Sequence, residues 1–511
     1  MAGRRDRGPS ARRLVDRVEG RLGPLDRRLL LDEWRQTMGR PTPATERLRA
    51  QRRALLTAPG LLADVRAARS SARPTTVARR LELLERAILE AEIEQAPEIA
   101  RRRDRLARRI GAFRPRWRGE RVGRAVVRRA ARTDPDRRVR ERAFRAEEPL
   151  YRPMENELRT LVALRNERAR ALGFRSFPDF RLSLEGLSVP SLKALLDDAL
   201  RYVPDEMRRR RESFEERTGE RGWYPWDVGY AVQLDTGLPD EAFPGARMLP
   251  EVIAGVREWG FPARAFRFRV DRHDLASGGI CLAPDPPRDV RVIVHPGGGW
   301  RSYVALFHEV GHALASGAIC QPTHLLRWHE HLPGFAGISE GEGHFFEQIA
   351  SSEAWLRARP GLDRGQVDRA LPAIRRAPLM SIAYLATWTL RELALYERPA
   401  ADADDVGRRL ARRVFGYDDH EPLSFVDAFS VDLPFYAPSY VYAFLLCPQL
   451  TAAALAEVGG ALWPNPRIAR WLVDRWFRDG SSYDWWVRLR EVSGRPFGAR
   501  AFNDAVRGLP T

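Results

Sequence analysis

Histidine is scarce in this 511-residue chain and is concentrated in one short stretch. Of the nine histidines, none precedes His273, and seven lie between His295 and His344. At the centre of this stretch, residues 308–312 read H-E-V-G-H. Side chains four residues apart lie on one face of a helix, so the imidazoles of His308 and His312 can reach one zinc ion. The spacing therefore predicts a metal site on a helix.

Glu309 lies about 100° further round the same helix than His308, which places it beside a metal rather than on it. There its carboxylate can take a proton from a water molecule, as in the H-E-x-x-H arrangement of zinc hydrolases. The flanking residues 303–307 and 313–315 are largely apolar and predict a buried helix. These features predict a hydrolase with Glu309 as general base.

A catalytic zinc needs a third protein ligand, and the residues alone leave its identity open. The downstream candidates are His324, His329, Glu330, His331, Glu340, Glu342, His344 and Glu347. We expect a helix over residues 338–355, on which Glu340, His344 and Glu347 share one face. Spacing does not choose between Glu340 and His344. The run 328–331 predicts a loop that lines the cleft or, alternatively, a second metal site.

The elements that must position these residues are mostly helical. Apolar residues recur at helical spacing over residues 22–203 and again over residues 302–506. Between these regions the pattern alternates and predicts a small sheet of about three strands over residues 266–270, 280–283 and 291–295. We therefore expect a mainly α-helical protein with a small sheet beside the His308–His312 helix.

The charge of the chain is divided unevenly. Residues 1–150 carry 40 Lys+Arg and 21 Asp+Glu, whereas residues 151–511 carry 46 and 47, so the formal net charge of +18 belongs to the N-terminal third. We expect a disordered basic segment over residues 1–20, an Arg-rich helical region over 21–150 and the catalytic region over 151–511. The arginines of residues 101–145 predict a solvated helix face or, alternatively, a surface for an anionic partner. Nucleic-acid binding is not expected.

The cysteines and the apolar segments bear on the cellular compartment. Cys281, Cys320 and Cys447 have no paired or metal-type spacing, which favours a reducing compartment. The most apolar region, residues 440–463, contains Pro448, Gln449 and Glu457 and is too polar for a membrane span. We expect a cytoplasmic protein without a membrane segment, and the sequence leaves its oligomeric state open.

Several ordered motifs resemble the zinc oligopeptidases of the thimet oligopeptidase and oligoendopeptidase F type. More distant relatives of these enzymes include angiotensin-converting enzyme and the thermostable carboxypeptidases. Besides 308–312, residues 161–174 resemble a helical signature of this family, and Pro225-Trp226-Asp227 resembles its P-W-D segment. The resemblance spans roughly residues 150–505. It implies a large helical peptidase whose deep channel admits short or unfolded peptides, with one Zn²⁺ per chain.

The resemblance also implies roles for the acidic residues downstream of His312. The family has a third-ligand glutamate on a later helix, with another glutamate seven residues on, and Glu340 and Glu347 reproduce that pair. It implies that Glu340 binds zinc, that Glu347 supports the ligand histidines, and that His344 is a bystander or a cleft residue. The gap after His312 is a few residues longer than usual, so Glu342 is a minor alternative ligand.

Relatives place tyrosines over the metal, where they donate hydrogen bonds to the oxyanion. The resemblance implies this role for Tyr440 and then Tyr436, whereas we expect Tyr442 in the core. A phenol suits the task because it is a neutral donor at pH 7. Relatives also carry a histidine shortly before these tyrosines, and residues 427–435 contain none. One substrate-binding donor is therefore expected to be missing.

Two further expectations concern the substrate. The strand over residues 291–295, if it lies at a sheet edge, would pair with the peptide backbone of a substrate. Endopeptidase, metallocarboxypeptidase and dipeptidase activity all fit the motifs. The alternative from another class is a basic protein that binds an anionic polymer or an acidic partner and carries a structural or vestigial zinc site. Intact Glu309 speaks against that alternative, because a structural zinc has no need of a general base.

Overall fold

The protein is mainly α-helical, as the sequence predicts. The computed structural model describes residues 8–508, except 41, 74, 276–277, 328–331 and 419–427. The helices in chain order are α1 (Gly8–Thr37), α2 (Thr45–Leu56), α3 (Leu61–Ser71), α4 (Thr76–Glu94), α5 (Pro97–Ala112), α6 (Arg124–Thr133), α7 (Arg137–Arg145), α8 (Glu148–Tyr151), α9 (Glu155–Ala171), α10 (Phe177–Ser183), α11 (Val189–Ala199), α12 (Val203–Thr218), α13 (Pro225–Thr236), α14 (Met248–Arg257), α15 (Trp300–Ala318), α16 (His324–Arg327), α17 (Ala336–Ala350), α18 (Glu353–Arg357), α19 (Arg364–Glu397), α20 (Ala403–Phe415), α21 (Ala428–Val431), α22 (Ala437–Val458), α23 (Ile468–Leu472), α24 (Trp485–Ser493) and α25 (Arg500–Arg507).

The strands form one hairpin and one three-stranded sheet. β1 (Arg116–Trp117) pairs antiparallel with β2 (Glu120–Arg121). The sheet contains β3 (Arg269–Arg272), β4 (Gly279–Asp285) and β5 (Asp289–Val294) in the order β3-β5-β4, with β5 parallel to β3 and antiparallel to β4. The prediction of about three strands is therefore confirmed. β3 begins later than predicted, because a 3₁₀ turn leaves Phe266 in a turn conformation ahead of it.

β5 is the central strand of this sheet and not an edge. Its residues Arg291 to Val294 have hydrogen-bonded partners on both sides, in β3 and in β4. Strand addition to residues 291–295 is therefore excluded, since their backbone groups are already paired. The sequence shows that this segment is β-branched and apolar, but the order of strands in a sheet depends on contacts between distant segments.

The chain forms two compact units that do not follow the sequential division expected from charge. The first unit contains residues 1–96, 240–355 and 449–497, and the second contains residues 97–239, 356–448 and 498–511. Each unit is assembled from three separate segments of the chain. The first unit carries the three-stranded sheet, α15 and α17.

α1 begins at Gly8, so the expectation of disorder over residues 1–20 is wrong from that residue onward. One face of this helix is buried, at Ala11, Val15, Val18 and Leu22. In addition, Arg80 of α4 donates to Glu19 at 2.8 Å in the interior. The apolar positions recur every three or four residues, which is a helical signal that the many charges around them conceal. Residues 1–7 lie outside the described residues.

Within the second unit, two arginines of the basic region bind a buried carboxylate. Arg140 and Arg137 approach Asp227 at 2.8 and 3.0 Å, and Asp227 is fully buried. Asp227 also accepts a hydrogen bond from the backbone N–H of Tyr224 and so caps the start of α13. The aspartate of the P-W-D segment therefore holds α7 against the start of α13, and part of the basic charge is neutralised internally.

One helix among the described residues has the length and hydropathy of a membrane span. This is α22, whose most apolar window has a mean hydropathy of 1.5, and 61% of that window is buried within the protein. Pro448 and Gln449 lie inside it, as the sequence shows. A mostly buried apolar helix is also what the core of a large helical protein contains.

Candidate active site

α15 carries the H-E-V-G-H motif and is buried along most of its length. It begins after a glycine run that ends at Gly299, whose φ of 89° is accessible to glycine. It packs against β4 and β5 on one side and against α17 on another. Glu309 and His312 are buried, and His308 is partly exposed. The motif therefore lies mostly in the protein interior and not on an open surface.

Two glycines permit α15 and α17 to approach closely. A Cβ added to Gly343 of α17 would lie 2.5 Å from Nδ1 of His308, which is too close for any real side chain. A Cβ added to Gly311 of α15 would lie 2.9 Å from Phe346 of α17. The two helices thus meet where neither has a side chain, and the imidazole of His308 occupies the space against Gly343.

This packing assembles a candidate metal centre. His308, His312 and Glu340 each offer one ligand atom, and these atoms all lie within 4.8 Å of one another. Nε2 of His308 lies 2.9 Å from Nε2 of His312 and 3.3 Å from a carboxylate oxygen of Glu340. Two imidazoles and one carboxylate form the donor set of many catalytic zinc sites, so these residues fit the predicted ion. Within the described part of the chain, Glu342 belongs to no such group.

Glu347 connects this centre to a third histidine. One oxygen of its carboxylate lies 2.8 Å from Nδ1 of His308, and the other lies 2.9 Å from Nδ1 of His344. The rings of His308 and His344 are in edge contact, with centroids 5.2 Å apart. Hydrogen bonds of this kind fix the tautomer and the orientation of a ligand imidazole. His344, expected to be a bystander or a cleft residue, is part of this hydrogen-bonded cluster.

The cluster is strongly coupled electrostatically. Burial alone would lower the pKa of His308, but its hydrogen bonds to Glu340 and Glu347 raise that pKa well above the ordinary value. Burial would raise the pKa of both carboxyls, yet the neighbouring histidines outweigh it. They lower the pKa of Glu340 to about 2 and lower that of Glu347 further. Two ionised carboxylates thus face the imidazoles, and the centre attracts a cation.

Glu309 projects from α15 toward the beginning of β4. A Cβ added to Gly279 would lie 2.5 Å from Cγ of Glu309, so the side chain packs on the glycine backbone. Glu309 is 7% exposed. Glu309 therefore follows His308 directly on α15, and its side chain lies against an edge strand of the sheet.

Tyr436 and Tyr440 lie in the second unit, at the start of α22. Both side chains are partly exposed, and their ring centroids are 5.5 Å apart in an edge contact. Tyr442, by contrast, is fully buried, and burial together with the charge of Glu185 raises its pKa well above the ordinary value. The prediction that Tyr442 belongs to the core is confirmed, whereas the role of Tyr436 and Tyr440 stays a prediction.

Other predicted and overlooked residues also have defined places. His324 bonds to the buried carboxylate of Asp26 at 2.9 Å, which gives it a structural partner. The hydroxyl oxygen of Ser339, a residue that the sequence does not single out, lies 3.3 Å from Nδ1 of His312. Its position one residue before Glu340 is the only sequence signal that points to it. Residues 328–331 and His420 lie outside the described residues.

Solved metallopeptidase structures share this fold over nearly the whole chain. An M32 carboxypeptidase from Deinococcus radiodurans R1 superposes with a TM-score of 0.66 at 16% identity, covering 98% of both chains. Trypanosoma cruzi metallocarboxypeptidase 1 gives a TM-score of 0.68 at 17% identity, covering 98% of this chain and 99% of its own. A structure described as oligoendopeptidase F gives 0.64 at 18% identity, covering 91% of this chain and 83% of its own.

These likenesses define the class of fold. The chain has the large helical fold of M32 carboxypeptidases and oligoendopeptidase F, as the resemblance implied. No protein-family model and no curated protein matches the sequence. Since identities of 13–18% accompany the structural matches, they establish the fold alone.

Proposed function

We propose that this protein is a zinc-dependent peptidase that acts on short or unfolded peptides. The observation that carries the proposal is the convergence of His308, His312 and Glu340 on one point, with Glu309 the next residue on the same helix. A metallopeptidase fold surrounds this convergence, which supports the same chemistry. A cytoplasmic location stays a prediction.

In this proposal His308, His312 and Glu340 hold the metal. When bound, zinc supplies a Lewis acid for a carbonyl oxygen and lowers the pKa of water to about 7. Glu347 and Ser339 each contact Nδ1 of one of these histidines, and such contacts would orient both imidazoles for binding a metal.

Glu309 acts as the general base and later as the general acid. Its carboxylate accepts a proton from the attacking water and delivers it to the departing amine. Tyr440, assisted by Tyr436, donates a hydrogen bond to the oxygen on which negative charge develops. Such a donor is effective because its hydrogen bond becomes stronger as negative charge develops on the oxygen in the transition state. The phenol does not have to ionise for this.

We assign the binding of the peptide backbone to β4, since β5 is unavailable. β4 is an edge strand, and its first residue, Gly279, packs against Glu309. A peptide that pairs with this edge would be bound through main-chain hydrogen bonds and so with little dependence on sequence. This arrangement would bring the peptide bond to the general base.

Endopeptidase and carboxypeptidase cleavage both fit this chemistry, and their products differ. The sequence motifs resemble oligopeptidases, whereas the carboxypeptidase structures match over 98–99% of their own length. We propose to incubate the zinc-loaded protein with a mixed peptide library, with and without a chelator, and to identify the products by mass spectrometry. Internal fragments indicate an oligopeptidase, and stepwise loss of C-terminal residues indicates a carboxypeptidase. A library that is unchanged in both samples contradicts the proposal.

The structure gives partners to many arginines on which the anionic-partner alternative depends. Arg124 and Arg128 both bind Glu147, and Arg137 and Arg140 bind Asp227. Internal ion pairs of this kind leave less charge for a polymer to neutralise. We therefore do not favour an anionic-polymer function.

A further inference from the structure

The backbone immediately before Tyr436 adopts an unusual conformation. Phe435 has a φ of 56°, in the left-handed region that bulky side chains rarely enter. Its ring is buried and makes an edge contact with Tyr396 of α19, with centroids 6.3 Å apart. A residue persists in such a conformation only when its surroundings determine it, and such residues concentrate at functional sites.

A buried carboxylate contacts the backbone at this residue. Glu392 of α19 is 2% exposed, and its Oε1 accepts the backbone N–H of Phe435 at 3.2 Å. An interior acceptor that receives a main-chain N–H stabilises that backbone conformation, because a buried N–H left without a partner costs free energy. None of the steps proposed for catalysis uses Glu392.

A buried arginine fixes the same segment four and five residues earlier. Arg165 of α9 is fully buried, and its two terminal nitrogens donate to the carbonyl oxygens of Ser430 and Val431 at 2.8 and 2.7 Å. These carbonyls end α21, where a helix provides no N–H donors of its own for its last carbonyl oxygens. The guanidinium also lies over the ring of Phe177, 5.8 Å from its centroid. Arg165 therefore binds the segment through two parallel bonds that a lysine cannot reproduce.

The two charged residues hold the chain on either side of a short exposed turn. Leu433, which lies between the residues bound by Arg165 and Glu392, is 47% exposed. Its side chain therefore contributes little packing that would fix the conformation of this turn. The next residue after Phe435 is Tyr436, whose carbonyl accepts the N–H of Ser439 as α22 begins. The direction in which Tyr436 and Tyr440 leave the backbone thus depends on how Phe435 is held.

We propose that Glu392 and Arg165 are positioning residues that set the placement of the Tyr436–Tyr440 pair. This inference rests on the proposed function in one respect, the role of these tyrosines as oxyanion donors. Arg165 belongs to the helical signature 161–174, so the proposal also gives that signature a task. Glu392 is the better residue to test, because loss of a fully buried guanidinium endangers the fold itself.

The first measurement does not depend on activity or on bound metal. The protein is labelled with 3-fluorotyrosine, and the ¹⁹F signals of Tyr436 and Tyr440 are assigned among the 12 tyrosines with Tyr436→Phe and Tyr440→Phe. Glu392→Ala is expected to shift or broaden these two signals in metal-free protein, whereas Glu392→Gln, which keeps an acceptor oxygen, leaves them in place. Unchanged signals in Glu392→Ala overturn the proposal.

A matched control separates positioning from general destabilisation. Glu206 of α12 is also 2% exposed and belongs to the same unit, but its short ion pairs are with Arg209 and Arg210 of its own helix. Its contact with Arg376 of α19 is longer, at 3.8 Å. Glu206→Ala is expected to lower the melting temperature without moving the two ¹⁹F signals. Equal shifts of those signals in both variants would reduce Glu392 to a merely structural residue and contradict the proposal.

The second measurement is a double-mutant cycle on peptide hydrolysis. Glu392→Ala is expected to lower kcat by up to about 10²–10³-fold, the cost of one lost oxyanion donor. In a Tyr440→Phe background the same change should have little further effect, because its target is already absent. An undiminished loss in that background overturns the proposal. Shifted signals in a protein that cleaves no peptide would instead refute the proposed function and leave the positioning role intact.

Discussion

The carboxylate of Glu347 lies 2.8 Å from Nδ1 of His308 and so determines which nitrogen of that imidazole faces the candidate metal. Because the other oxygen of Glu347 bonds to His344, the carboxylate is fixed from two sides. We expect Glu347→Ala to weaken zinc affinity by about 10–100-fold, as loss of such partners does in other metal sites. Competition with a chromophoric chelator measures this affinity. Glu258→Gln, a change at an exposed glutamate of the same unit, is the control, and equal affinities in both variants would contradict the prediction.

Glu309 offers the most direct test of the chemistry. Glu309→Gln preserves the shape of the side chain but cannot accept a proton, so we expect hydrolysis to fall by about 10²–10⁴-fold. Zinc content, measured by atomic emission, should stay at one ion per chain, because Glu309 lies beside the ligand set. Near-normal peptidase activity in this variant would refute the assignment of the general base.

The contact between Gly343 and His308 predicts a steric effect on the metal centre. Gly343→Ala introduces a Cβ 2.5 Å from Nδ1 of His308, so the imidazole must move or α15 and α17 must separate. We expect a loss of about 1–3 kcal/mol in unfolding free energy from overpacking, with reduced zinc binding. Gly317→Ala is the matched control on α15, since its Cβ meets nothing within 4 Å.

Calorimetry and chelator competition measure the two effects. Gly317→Ala should be neutral or stabilising, because alanine has a higher helix propensity than glycine, by up to about 1 kcal/mol. If Gly343→Ala binds zinc as the natural protein does, the close approach of the two helices is not required for the metal centre.

The raised pKa of His308 predicts that protons and zinc compete. Hydrogen bonds to Glu340 and Glu347 raise the pKa of His308 well above its ordinary value, so we expect the metal-free imidazole to carry a proton near neutral pH. Zinc binds only the neutral imidazole. Zinc affinity should therefore rise with pH until the pH exceeds this raised pKa. Glu340, with a pKa of about 2, stays ionised near neutral pH and so does not contribute to this dependence of zinc affinity on pH.

Isothermal titration between pH 6 and pH 8, in buffers of different ionisation enthalpy, measures the protons released. We expect release of about one proton at pH 7. Affinity that does not change with pH, together with no proton release, would show that His308 is neutral before zinc binds.

Local patterns were sufficient for much of the fold and for part of the site. The helical period places His308 and His312 on one face, and the alternation of apolar residues indicates the small sheet. These features depend on neighbours a few positions away, so a single sequence contains them. The apolar positions of α1 follow the same rule, although the charged composition around them favours disorder over residues that form a helix.

The sequence by itself determined the H-E-x-x-H helix, because two imidazoles one turn apart share a face wherever that helix lies. Only the tertiary structure shows which of the downstream side chains lies next to them. Glu340, Glu342 and His344 are all compatible with spacing, and the contact of α17 with α15 at Gly311 and Gly343 brings Glu340 to the pair. The central place of β5 was likewise decided by pairing between distant strands. Such pairings depend on the packing of segments far apart in the chain, which no local period encodes.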